Sequence, residues 1–142
     1  MSLAAIKAGK HVYCEKPLSS TVIQSKEMTN AAMTAKIKTQ VGFNYICKPL
    51  IVKSRQMIKN GELGKIRGFR GIHAEDYMAS SDSPFTWRHD PVGGGVLADL
   101  GSHIIATAEF LLGPISEVLG SCVTSIDQRK DPFGNNHNVV TD

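Results

Sequence analysis

His11-Val12-Tyr13-Cys14-Glu15-Lys16-Pro17 is the stretch from which the fold can be read. A short run that is largely apolar ends on a charged pair and a proline, which predicts a buried type of strand over residues 11–14. Upstream, residues 4–9 read as the end of a helix that stops at Gly9. Downstream, Thr21-Val22-Ile23-Gln24 has capping-box spacing, with Thr21 as the cap, and opens a helix to about Ala35. Gln40-Val41-Gly42-Phe43 then reads as a second strand. Strand, helix and strand at this spacing imply a parallel crossover unit, half of a doubly wound sheet.

Past residue 44 the rhythm changes, and a domain boundary is expected there. Pro49 suits the first position of a helix that carries Leu50, Ile51, Ser54, Met57 and Ile58 on one face and ends at Asn60-Gly61. Glu62-Leu63-Gly64 reads as a turn. Lys65 to Asp76 is predicted as a strand, although its two glycines weaken it. Residues 77–95 form a long loop holding the one tryptophan, Trp87; loops of that length in compact domains tend to be functional. A helix is predicted over 96–112, stopping at Gly113-Pro114, and a strand over Val118 to Ile126. The tail from Asp131 is polar and aperiodic, and Val139-Val140-Thr141 reads as the start of another strand.

The chain has 142 residues, enough for one domain or parts of two, and its apolar content of 42% supports a core. A net charge of +3, with lysines and arginines scattered among acids, gives no basic face and argues against nucleic-acid binding. Cys14, Cys47 and Cys122 are odd in number and form no C-x-x-C pair, so they read as reduced, buried, small hydrophobes of a cytoplasmic protein. Neither a membrane span nor a secretory leader is evident, and no membrane partner is expected.

Chemistry concentrates in Gly93-Gly94-Gly95-Val96-Leu97-Ala98-Asp99-Leu100-Gly101-Ser102-His103. In a regular helix, Leu97, Leu100, Ile104, Ala108 and Leu111 form the core stripe. Asp99 and His103, four apart, then share a facet with β-carbons about 5–6 Å from each other. A carboxylate beside an imidazole raises the imidazole pKa and suits a proton acceptor near neutral pH. The glycines let the backbone pass close to a ligand, and Gly101 is expected to keep the facet uncluttered. Lys16 stands at the carboxyl end of a predicted parallel strand, where open α/β sheets bind ligands, and Pro17 restricts it to an extended backbone. Trp87-Arg88 could stack on a ligand or clamp an anion. His73, Glu75 and Asp76 suggest a metal on paper, but spacing places no third ligand, so no metal site is assigned.

Residues 8–18, then Val41-Gly42-Phe43-Asn44-Tyr45, then Gly61-Glu62-Leu63-Gly64-Lys65-Ile66, then residues 93–103 together resemble the Gfo/Idh/MocA oxidoreductases, a family that includes glucose-fructose oxidoreductase and inositol dehydrogenase. The resemblance covers about residue 4 to residue 120 in the family's order and spacing. It implies a chain that is α/β plus α+β. Residues 1–44 would be the C-terminal half of a Rossmann-type, dinucleotide-binding domain. Residues 45–142 would be an incomplete, GAPDH-like α+β domain with an open mixed or antiparallel sheet, serving substrate binding and oligomerisation. The activity implied is NAD(P)-dependent dehydrogenation of a sugar or cyclitol hydroxyl. Lys16 would hold the reacting hydroxyl, His103 would accept its proton, and Asp99 would bind substrate and support that histidine. Glu15, Lys16, Pro17, Trp87 and Arg88 would lie by the NAD or NADP, and Tyr45 by the substrate. A homo-oligomer through the C-terminal sheet is also implied.

Two departures stand out: Ile46 occupies the place of a usual arginine, and Ala106 that of a frequent acid. No G-x-G-x-x-G loop precedes Glu15-Lys16-Pro17, and the triplet at 93–95 cannot replace it, since it follows a loop and not a strand. The chain therefore reads as part of a longer enzyme, binding dinucleotide weakly or not at all alone. Two rival readings remain open from the residues: a non-catalytic sugar-binding or oligomerisation module of the same fold, and a metal-assisted hydrolase or isomerase using His73, Asp99 and His103.

Overall fold

The computed structural model describes residues 1–90, 92 and 94–139, and it divides into two compact units, Met1–Asn44 and Tyr45–Asp142. In the first unit, helix α1 (Ser2–Lys7) leads into strand β1 (Val12–Cys14), helix α2 (Val22–Thr34) and strand β2 (Thr39–Val41). The left-handed backbone at Gly9, φ +68°, ends the first helical turn region as a residue without a Cβ allows. Thr21 caps α2, its hydroxyl oxygen accepting the Gln24 N–H at 3.2 Å. β1 and β2 pair in parallel with Val12 opposite Thr39 and Cys14 opposite Val41. Beyond the register, the Gly42 N–H donates to the Cys14 carbonyl at 2.8 Å, and His11 Nδ1 accepts the Lys38 N–H at 3.0 Å. Ile6 and Ala32 are buried between α1 and α2.

The second unit contains helix α3 (Pro49–Lys59), a 3-10 turn (Trp87–His89), a π-turn (Leu97–Gly101) that runs into helix α4 (Ser102–Leu112), and strands β3 (Gln128–Lys130) and β4 (Asn136–Asn138). α3 and α4 pack together, with the Arg55 guanidinium 4.2 Å from the centre of the Phe110 ring. Positive φ at Gly61 and Gly113 terminates α3 and α4 where the sequence places their ends.

Three expectations are corrected. Residues 65–76 and 118–126 are not strands; among the described residues, regular ladders join only β1 with β2 and β3 with β4. β-propensity describes how a side chain fits a pleated surface, and a strand exists only through a neighbour that bonds its backbone. Ile72, Val118, Leu119 and Val123 are accordingly exposed. The helix expected over 96–112 is present, but a π-turn at Leu97–Gly101 interrupts its regular period. Cys47 and Cys122 are exposed, Cys47 in a 3-10 turn (Asn44–Cys47) and Cys122 in the segment without a ladder, while Cys14 is half-buried.

The polar tail carries a hairpin that periodicity could not signal, since β3 and β4 contain no apolar residue. Its turn is built by Asp131. One carboxylate oxygen accepts the N–H groups of Phe133 and Asn135, both at 2.9 Å, and the other accepts from the Asn135 side chain and meets His137 Nε2, both at 3.0 Å. Gly134 supplies φ +87°. The Val139 N–H continues the pairing onto the Asp127 carbonyl at 2.8 Å; Val140 and Thr141, the rest of the strand expected there, lie outside the described residues.

Candidate active site

The glycines that open the second cluster are required by the backbone. Gly94 and Gly95 have φ of +89° and +59°, and a Cβ on Gly94 would collide with the β-carbon of Ala98. Gly93 lies outside the described residues. From this turn the chain enters the π-turn, where the Ser102 N–H reaches back five residues to the Leu97 carbonyl. A π-turn holds an extra residue, so the regular period of about 3.6 residues does not run unbroken from Asp99 to His103. Asp99 and His103 nevertheless line one cavity, while Leu97, expected in the core stripe, is exposed. Gly101 makes room on the Leu97 side: a Cβ there would sit 2.9 Å from Leu97 Cδ1, so its open face is not the facet between Asp99 and His103.

The Asp99 side chain is only 11% exposed, and its Oδ2 accepts two hydrogen bonds. Arg88 Nε donates at 2.7 Å and the Tyr77 hydroxyl at 3.2 Å. The guanidinium of Arg88 lies 4.4 Å from the Trp87 ring centre and 5.5 Å from that of Tyr77. A 3-10 turn presents it. The Thr86 hydroxyl accepts the Arg88 N–H at 3.3 Å, and the Thr86 N–H donates to His89 Nδ1 at 2.9 Å. The hydrogen bond to Asp99 is the chief reason that Arg88 holds its proton even more firmly than usual. Burial first, and then the Asp99 charge, push the Tyr77 phenol above its ordinary value.

His103 is 8% exposed, and its ring stacks on Tyr45 with centres 4.3 Å apart and planes at 23°. A second imidazole, His73, stands 5.9 Å from His103 and 5.7 Å from Tyr45, ring centre to ring centre. His73 is held by a 3.0 Å contact from Nε2 to Glu75 Oε1. Gly71 brings it there: a Cβ at that position would lie 2.7 Å from Ile104 Cγ2, so only glycine lets this segment run against α4. Lys48 places its ammonium 4.2 Å over the Tyr45 ring. A cavity of about 190 Å3 opens among Tyr45, His73, Tyr77, Arg88, Asp99 and His103. A larger one of about 340 Å3 shares Glu75, Tyr77, Arg88, Asp99 and Leu100 with it and is walled further by Met78 and Arg129. Such a lining offers acceptors and donors for a polyhydroxylated ligand, and imidazoles able to accept a proton.

In the first unit, Glu15, Lys16 and Pro17 follow β1 at its carboxyl end, and the Lys16–Pro17 peptide is cis. A Cβ on Gly42 would approach Glu15 Oε2 to 2.9 Å and the Tyr13 hydroxyl to 3.1 Å, so the missing side chain at the end of β2 makes space for that carboxylate.

The family model for the GFO/IDH/MocA C-terminal domain matches residues 51–141, and that for the NAD-binding Rossmann fold of the oxidoreductase family matches residues 1–43. The chain belongs to the Gfo/Idh/MocA family. Levoglucosan dehydrogenase of Pseudarthrobacter phenanthrenivorans is 37% identical over 91% of this chain and 34% of its own length. A crystal structure of an NAD binding oxidoreductase from Klebsiella pneumoniae is 42% identical with a TM-score of 0.96, covering 100% of this chain and 38% of that one. A levoglucosan dehydrogenase structure in complex with NADH and L-sorbose is 36% identical with a TM-score of 0.94, covering 99% of this chain and 38% of that one. The chain thus spans about a third of the length of the relatives it matches.

Of the residues singled out from the sequence of this Gfo/Idh/MocA chain, Tyr45, Arg88, Asp99 and His103 line one cavity. Trp87 is exposed beside the Arg88 guanidinium. The sequence offers His73 and Glu75 only as metal ligands, and among the described residues no group of three His, Cys, Asp or Glu is arranged to hold a metal. Their alternate spacing was the available signal for a shared face. Tyr77 carried no signal, because a loop has no periodicity to mark an inward position. No helix of the described residues is long and apolar enough to cross a membrane.

Proposed function

We propose that this chain supplies the substrate-handling residues of an NAD(P)-dependent oxidoreductase that acts on a sugar or cyclitol hydroxyl. The observation that carries the reading is the cavity that gathers Asp99, His103, Tyr45 and Arg88 within a family whose N-terminal domain is described as NAD-binding. A bound nicotinamide would supply the hydride acceptor, or the donor in the reverse direction. Lys16 polarises the carbinol oxygen, His103 accepts the hydroxyl proton, and Asp99 binds a neighbouring hydroxyl and supports that histidine. Glu15 and Pro17, with Trp87 and Arg88, attend the cofactor, NAD or NADP, and Tyr45 attends the sugar. A cytoplasmic homo-oligomer is part of the same reading.

The test uses the longer protein that carries this chain together with a dinucleotide-binding loop, with NAD or NADP and a panel of polyols that begins with levoglucosan and L-sorbose, the sugars named in two relatives' structures, and follows reduced nicotinamide by absorbance. Turnover is expected to fall on the order of 100-fold or more in His103→Ala, as loss of a general base does, and strongly in Lys16→Met. Undiminished turnover in His103→Ala would sink the assigned role.

A further inference from the structure

Arg129 has no part in the roles assigned above, yet it is a buried cation gripped by three backbone carbonyls. Only 3% of it is exposed. Its Nη1 donates to the carbonyls of Ser80 at 2.7 Å and Ser83 at 3.1 Å, and its Nη2 to the carbonyl of Met78 at 2.8 Å. A buried guanidinium is tolerated when it is matched by acceptors; three backbone carbonyls from one loop answer Nη1 and Nη2, while Nε is buried with no hydrogen-bond partner among the described residues. The loop in turn is shaped by this cation: it folds around a single point fixed on β3. The Phe85 N–H adds a bond to the Lys130 carbonyl at 2.7 Å, tying the far end of the loop to the same strand.

The residue immediately before the first gripped carbonyl is Tyr77. Its hydroxyl donates to Asp99 Oδ2, the oxygen that also accepts from Arg88. Its own carbonyl accepts from the Ser83 hydroxyl at 3.4 Å, closing the loop on itself. We propose that Arg129 is a positioning residue for the candidate active site: by gripping Met78, Ser80 and Ser83 it holds the Tyr77 hydroxyl on Asp99 and so sets the direction of that carboxylate. Arg129 also walls the larger cavity that borders Tyr77, Arg88 and Asp99, so the same grip sets the shape of that cavity. The consequence for turnover rests on the dehydrogenase reading; the grip on Tyr77 does not.

The test therefore reads Tyr77 directly. The phenol is titrated by ultraviolet difference spectroscopy in the full chain, with Tyr77→Phe subtracted to remove Tyr13 and Tyr45. The comparison is made in Arg129→Lys, which keeps the charge but loses the fork, and in Arg129→Gln, which keeps donors without charge. With the grip loosened, the Tyr77 hydroxyl leaves the Asp99 carboxylate, and its titration moves down toward the ordinary tyrosine value in either variant that folds. A residue that merely stabilised the unit would lower the melting temperature and leave the titration where it was. An unmoved titration in a folded variant overturns the proposal. Failure of both variants to fold also overturns it, because Arg129 would then serve the whole unit and not the place of Tyr77. Failure of turnover with every polyol, alongside the expected shift, would instead strike the dehydrogenase reading alone.

Discussion

Removing the two ends of the Arg88–Asp99 pair should have unequal effects, and the inequality can be worked from exposure. Hydrogen bonds to charged groups contribute about 1.5–3 kcal/mol. The Arg88 side chain is 36% exposed, which admits water and screens the pair, while Asp99 is only 11% exposed. In Arg88→Ala a nearly buried carboxylate loses the charged Arg88 donor, and the loss should be about 2 kcal/mol. In Asp99→Asn a third-exposed guanidinium is left to solvent, and the loss should be about 1 kcal/mol or less. The double variant should then be no worse than Arg88→Ala alone, giving a coupling of about 1 kcal/mol. Urea unfolding monitored by circular dichroism measures all four states, and repetition at high salt should shrink the coupling only modestly, because the pair is partly sheltered. Asp99→Asn proving more destabilising than Arg88→Ala, or a coupling near zero, would refute the claim that the carboxylate depends on Arg88.

Further outcomes follow from the turns. Gly94→Ala places a Cβ at φ +89° against Ala98, and the strain and overpacking together should remove about 2–4 kcal/mol. Gly120→Ala, where a Cβ meets nothing within 4 Å, should be near neutral, and similar urea midpoints for the two would contradict the steric reading. In the hairpin, the Asn135 side chain first and His137 second hold the Asp131 carboxyl well below the usual carboxylate range. A depressed folded value means that the contribution is present above the unfolded value of about 3.9 and is lost as pH falls through the folded value. Amide protection of β3 and β4 should thus hold from neutrality to about pH 4 and decline below it, whereas Asp131→Asn should start lower and lose that acid step. An acid step of the same size in the variant would exclude Asp131 as its source.

The parallel unit was legible because each of its signals is local. Gly9 stops a helix, the Thr21 hydroxyl caps the next, and an apolar run too short for a helix must extend. Asp99 and His103 could be singled out as residue types, but the π-turn that runs between them breaks the regular helical period on which that reading relied. Nothing in residues 65–76 told that Gly71 would press on Ile104 and carry His73 to within ring contact of Tyr45 and His103. The β3–β4 hairpin was hidden for the opposite reason: its strands are wholly polar, and it is held by the turn chemistry of Asp131 and Gly134.

By itself, the order of residues determined the helix ends, the β1–α2–β2 crossover, the glycine turn at 94–95 and the membership of the Gfo/Idh/MocA family, because backbone sterics, caps and motif order act over a few positions. Only the tertiary structure decided that Arg88 spends its charge on Asp99, that Tyr77 joins them, and that Arg129 holds the loop that carries Tyr77. Those are choices among partners eleven to fifty-one positions apart. A guanidinium takes whichever acceptors the packed chain brings within 3 Å or so, and that depends on how the loops close and not on the residues beside it.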